Sequence, residues 1–141
     1  FRQEGEVKTA MLKMSALDQK FLDKVISIIE HNMKKGIDVD INTIAREVGL
    51  SKSSFYRKIK LITDLSPVEF VKNIRLKHAY ELLEGGETSL DAIAYSTGFS
   101  GAKYLSTCFK EQFGITPTEF LRKRGLVKMG FIPLYNLLSC L

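Results

Sequence analysis

The sequence predicts an all-α fold of about seven helices, and three observations predict it. An internal repeat comes first: Ile44-Ala45-x-x-x-Gly49-x-Ser51 returns 49 residues later as Ile93-Ala94-x-x-x-Gly98-x-Ser100, and Ser66-Pro67-Val68-Glu69-Phe70 returns 50 residues later as Thr116-Pro117-Thr118-Glu119-Phe120. One extra residue therefore lies between Ser100 and Leu105 in the second copy. Next, apolar residues recur at helical spacing between cap and stop signals. Finally, no period-two alternation runs long enough to make a strand that matters.

Each element follows from local chemistry. Residues 1–14 lack a period and read as a linker from an upstream domain. Ser15-x-x-Asp18 resembles a capping box, and Phe21, Leu22, Val25, Ile28, Ile29 and Met33 share one face of the helix it opens, with Gly36 as terminator. A short helix is expected from about Ile41 to Val48, stopped by Gly49, which turns with positive φ at no steric cost. Ser51 then caps a longer helix to about Ile62 whose core face is Phe55, Ile59 and Ile62.

Ser66, Pro67 and Glu69 at the N-cap, N1 and N3 positions open a long helix to about Leu83, ended by Gly85-Gly86; its Phe70, Val71, Ile74 and Leu82 are expected to be shared between two lobes. Thr88-x-x-Asp91 is expected to start the second unit, with a short helix to Gly98 and a longer one from about Ala102 to Phe113 that turns Leu105 and Phe109 inward. Thr116-Pro117-x-Glu119 opens the last helix, to about Lys123. The organisation is residues 15–84 as a first helix-turn-helix subdomain with its connecting helix and 85–125 as a second, the two joined by that long linker helix. Residues 126–141 form an apolar tail broken by Pro133, read either as an element packing on the domain, as a disordered extension, or as a membrane or partner contact.

Bulk properties bound the function loosely. Each repeat alone is near the lower size limit for a stable core, so two lobes sharing a helix are expected. Net charge is +5 over 141 residues, and residues 17–125 hold 17 Lys and Arg against 14 Asp and Glu, so placement of charge matters more than its total. Cys108 and Cys140 form no CxxC pattern and fit a reducing, cytoplasmic setting. No signal peptide and no apolar run of 18 residues is present, and the start at Phe1 rather than Met is expected of a fragment of something longer.

No catalytic constellation stands out, and the reading is not an enzyme, with no cofactor, no metal and no small-molecule substrate. His31 and His78 lie on different helices outside metal-ligand spacing of a cysteine, and Cys108 reads as a small packed side chain. Phosphate-loop and nucleophile-elbow patterns are missing.

The first long helix is different. Residues 51–62 carry Lys52, Arg57, Lys58 and Lys60 and no acid, a local +4. A solvated face is the plain explanation of such a run. The short helix and glycine turn before it point instead to a reading head, and its duplication to two helices in successive major grooves of one duplex. Candidates for base contacts are Ser53, Tyr56, Arg57 and Lys60 in the first copy and Lys103, Ser106 and Thr107 in the second; Lys52, Lys58 and Lys110 are candidates for the DNA backbone. Arg57 can grip guanine O6 and N7 with both arms of its fork, whereas the second head has fewer basic residues and Glu111 against them. A protein-interaction or architectural module with weak DNA binding is the competing reading.

Residues 17–124 resemble the DNA-binding domain of the AraC/XylS family of transcription regulators. The resemblance is most specific in Ile93-Ala94-x-x-x-Gly98-Phe99-Ser100, Tyr104-Leu105-Ser106-x-x-Phe109-Lys110 and Phe113-Gly114-x-Thr116-Pro117-x-Glu119-Phe120-x-Arg122. Ser51-x-Ser53-x-Phe55-Tyr56-Arg57-Lys58-Ile59-Lys60 and Ser66-Pro67-x-Glu69-Phe70-x-x-x-Ile74-Arg75-Leu76 are similar to Bacteroidetes-type hybrid two-component regulators. Asp64, Leu105 and Gly101-Ala102 depart from the family's usual Gly, Phe and Asp-Pro-like start. The resemblance implies two helix-turn-helix subdomains on double-stranded promoter DNA and dimerisation through regions outside this chain. For hybrid members it also implies an upstream receiver domain and a sensor kinase, in a full-length protein anchored in the inner membrane.

Overall fold

The computed structural model describes residues 15–36 and 40–123. The helices are α1 Ala16–Lys34, α2 Ile41–Glu47, α3 Lys52–Thr63, α4 Pro67–Glu84, α5 Leu90–Thr97, α6 Ala102–Phe113 and α7 Pro117–Arg122. No strand occurs among the described residues, and the expected all-α class and seven helices are what those residues adopt. The tail at 126–141 and the linker at 1–14 lie outside the described residues.

Two separate cores make two lobes. The first gathers Leu22, Val25 and Ile29 of α1, Ile44 and Ala45 of α2, Phe55 and Ile59 of α3, and Phe70, Val71 and Ile74 of α4. The second takes Leu76, Ala79, Tyr80 and Leu83 of α4 with Ile93, Ala94, Phe99, Leu105, Cys108, Phe109, Phe113 and Phe120. At 100° per residue the two α4 sets point about 180° apart around the helix. One helix thus serves both cores, each with its own side chains. Phe70, Val71 and Ile74 belong to the first lobe alone, and Leu82, expected to be shared, is 38% exposed because it lies between those two faces.

Aromatic packing distinguishes the second core. The Tyr80 ring lies 5.6 Å from Phe113 and 5.0 Å from Phe120, and Phe109 lies 4.6 Å from Phe113, in tilted and edge-to-face contacts that suit ring quadrupoles. Burial pushes the Tyr80 phenol up to about 12, so it stays neutral in this apolar setting.

The repeat is carried by the backbone. Leu50 N–H donates to Ala45 O and Phe99 N–H to Ala94 O, both at 2.9 Å, around Gly49 (φ 77°) and Gly98 (φ 83°). Full capping boxes open α4 and α7: Glu69 N–H donates to Ser66 Oγ and Ser66 N–H to Glu69 Oε1, and Thr116 and Glu119 do the same. Those backbone hydrogen bonds hold the Glu69 and Glu119 carboxyls below the usual glutamate range.

Two start signals differ from expectation. Ser15 Oγ accepts from Asp18 N–H at 3.0 Å, but the box is half made: Asp is one carbon short of Glu, and its carboxylate faces Lys58 at 4.0 Å. The cap of α5 is Ser89 rather than Thr88: Ser89 Oγ accepts from Ala92 N–H at 3.2 Å, while Glu87 Oε1 accepts the N–H groups of both Thr88 and Ser89.

Candidate nucleic-acid interface

Each reading helix is held by a short helix before it and a capped helix after it, so its outward face is fixed by the core face opposite. On α3, Phe55 and Ile59 are buried, while Lys52, Ser53, Tyr56, Arg57 and Lys60 are exposed and fall within about 140° of arc. These five form one surface. Ser51 caps it, accepting from Ser54 N–H at 3.2 Å. At the far end Lys60 Nζ donates to Asp64 O at 3.1 Å and lies 3.9 Å from Asp64 Oδ1.

Lys58 stands apart from them. Its ammonium lies 4.0 Å from Asp18 Oδ1 and 4.8 Å from the Phe21 ring centroid, and Phe21 packs edge-on against Phe55 at 6.1 Å. Lys58 thus occupies the flank where α3 meets α1, away from the face of Arg57. The residues that hold it there are some 40 positions earlier in the chain, which no helical period could reveal.

On α6, Leu105, Cys108, Phe109 and Phe113 are buried. Lys103, Thr107 and Lys110 are exposed on the opposite side with half-buried Ser106 beside them. Thr107 Oγ1 donates to Lys103 O at 3.1 Å, which ties its hydroxyl to its own helix. The extra residue of the second copy lies in the turn, moving Ser100 off the cap position, so that Gly101 begins α6 with no side-chain cap. Because of this insertion the positions align at a spacing of 50: Lys103 matches Ser53, Ser106 matches Tyr56, Thr107 matches Arg57 and Lys110 matches Lys60.

Arg75 and Leu61 were not singled out as functional from the sequence. The turn favours glycine for its positive φ, and a Cβ on Gly98 would stand only 3.0 Å from Arg75 Nε and 3.3 Å from Cζ. Arg75 of α4 thus lies close against the second turn. Leu61, 87% exposed one turn beyond Arg57, adds an apolar edge to the first head. Its signal was available, since it falls outside the arc of Phe55, Ile59 and Ile62.

Two basic helices of equivalent setting, each behind a glycine turn and both tied to one connector, define a two-lobed helix-turn-helix DNA-binding domain. The profile of the helix-turn-helix domain family matches residues 44–123, and the chain belongs to that family, within it to the AraC/XylS type of sequence-specific DNA-binding domain. Histidine kinase P4 of Formosa agariphila is 33% identical over 120 residues, covering 85% of this chain and 9% of the kinase. The chain therefore spans less than a tenth of that relative. An AraC-type transcriptional regulator from Chromobacterium violaceum superposes with a TM-score of 0.69 at 28% identity, over 78% of this chain and 96% of that one. The DNA-binding domain of the global transcription factor AdpA, solved with a target DNA, gives a TM-score of 0.67 at 25% identity, over 78% and 97%.

Proposed function

We propose that this domain binds a promoter duplex by setting α3 and α6 in successive major grooves about one helical turn, roughly 34 Å, apart. The observation that carries the reading is the exposed face of Lys52, Ser53, Tyr56, Arg57 and Lys60, repeated in weaker form by Lys103, Ser106, Thr107 and Lys110. Arg57 reads a guanine, Tyr56, Ser53 and Lys60 contact neighbouring base edges, and Lys103, Ser106 and Thr107 do so in the second groove. Lys52 and Lys110 take phosphates; Lys58 does so only by releasing Asp18. With these two or three lysines on phosphates, log K falls against log salt with a slope of about −2 to −3.

The same proposal extends to the whole protein. Similarity to a histidine kinase supports a place as the output domain of a hybrid two-component regulator acting in the cytoplasm, with the upstream part anchored in the inner membrane. A receiver domain before residue 1 would then pair two copies on DNA, raising the effective concentration of the second copy.

Selection of bound sequences from random duplexes, followed by a shift assay against scrambled competitor, tests the reading. A protected segment spanning two groove faces is expected. Equal competition by scrambled DNA would favour an architectural or protein-interaction module instead.

A further inference from the structure

The two cores share no side chain, so the angle between the heads depends on what joins the lobes beyond the single helix α4. A small bend in an 18-residue helix moves α6 relative to α3, and two grooves can be entered together only at one such angle. A second connection exists. Helix α1, which belongs to the first lobe, packs directly on α5 of the second. Beside that contact His78 Nε2 lies 2.7 Å from Glu30 Oε2, and His78 Nδ1 lies 3.7 Å from Glu81 Oε1.

We propose that the Glu30–His78 contact is an interlobe tie that sets the angle between α3 and α6, making His78 a positioning residue for binding two grooves at once. This rests on the DNA-binding reading above. The tie is well placed because each member neighbours a fixed residue of a different core: Glu30 follows Ile29, 1% exposed in the first, and His78 precedes Ala79, fully buried in the second. Glu30 and His78 also line an open groove of about 440 Å³, together with Met33 and Lys34 of α1, Leu82 of α4 and Tyr95 and Ser96 of α5. Neither Glu30 nor His78 belongs to either core, which separates positioning from folding.

The test uses the whole 141-residue chain with Cys140→Ser and spin labels at Leu61→Cys and Glu111→Cys, on the flanks of the two heads; Cys108 is buried. The α3–α6 distance distribution should broaden in His78→Ala, and also in Glu30→Ala, which carries the same measurement if the first variant does not fold. His78→Gln, whose amide can donate to Glu30, should narrow it again. On DNA, His78→Ala should weaken binding to a whole selected site about two- to fivefold, the scale of a partly exposed pair. It should leave a site containing only the α3 half unchanged, and tolerate a one-base-pair insertion between halves better than the parent. An unchanged distance distribution, or equal losses on whole and half sites, would overturn the proposal. Failure of the parent to prefer any duplex would overturn the DNA-binding reading instead, while the distance measurement would still decide the tie.

Discussion

Helices α3 and α6 stand at equivalent places in the repeat, 50 residues apart, and each is weak at a different end. α3 begins under a side-chain cap from Ser51 and ends on Asp64, the one non-glycine residue of positive φ among the described residues (φ 62°). α6 begins on Gly101 with no side-chain cap and ends on Gly114, a residue suited to its φ of 84°. Their outward faces differ too, Arg57 in one answering to Thr107 in the other. The comparison separates two demands on a duplicated unit. Turns, caps and core positions must be kept for the lobe to fold, whereas the exposed face is free to diverge because no packing depends on it.

The largest difference should appear in stability. Ile59 and Phe109 are equivalent and both fully buried, but only Phe109 joins a ring cluster. Phe109→Ala should cost about 3–5 kcal/mol and Ile59→Ala about 2–5 kcal/mol, with the loss at Phe109 in the upper part of its range since two rings, Phe113 and Phe120, lose a neighbour. Denaturant melts of the two variants measure this; a larger loss at Ile59 would mean that the aromatic cluster adds nothing beyond its volume.

The next difference is in binding. Arg57→Ala should cost about 1–3 kcal/mol at a cognate site and relax discrimination at one base position, and Thr107→Ala should cost less. Thr107 starts with its hydroxyl already bonded to Lys103 O, so part of its capacity is spent within the helix. Titration of both variants against a selected site and its single-base changes gives the ranking. Equal losses would show that the second head reads DNA as strongly as the first and that charge is a poor guide to their roles.

Much of this asymmetry is legible in the sequence, and the limits of that legibility are physical. Ser66 and Thr116 caps, the Gly49 and Gly98 stops and the core faces of α3 and α6 depend on residues within one or two turns, so local pattern finds them. Lys58 looks like its neighbours until Asp18 and Phe21 fold against it, and His78 looks ordinary until Glu30 arrives from 48 positions away. Leu82 belongs to an apolar helix that serves cores on opposite faces; in such a helix periodicity cannot tell which residues fall between them. The cap at Ser89 is a choice between two adjacent hydroxyls, Thr88 and Ser89, which helical periodicity does not distinguish.

The weak end of α3 can be repaired. Asp tolerates the left-handed conformation better than most residues but still lies above glycine there, and the Lys60 contact with Asp64 is too exposed to offset much of the difference. Asp64→Gly should raise stability by about 0.5–1 kcal/mol, reduced by the entropy that glycine adds to the unfolded chain. A thermal melt checks it. A loss on substitution would show that the Asp64 carboxylate, through Lys60, matters more to α3 than backbone strain does.

The smallest effect belongs to the other weak end. Gly101 has extended backbone (φ −178°), which any residue adopts, and nothing lies within 4 Å of where its Cβ would stand, so Gly101→Asp fits without displacing a neighbour. Its carboxylate would accept an N–H of the first turn of α6 and face the positive end of that helix. Glycine is itself a tolerable cap, so the gain should be only a few tenths of a kcal/mol. On DNA the sign should reverse, because a carboxylate at the tip of a reading helix sits where phosphates approach. Gly101→Ser separates the two effects: it supplies the cap without the charge, and should keep the stability gain while leaving binding as in the parent. If both variants gain stability and both bind unchanged, the start of α6 lies away from the duplex, and the second head must approach its groove through Lys110 and the C-terminal half of the helix.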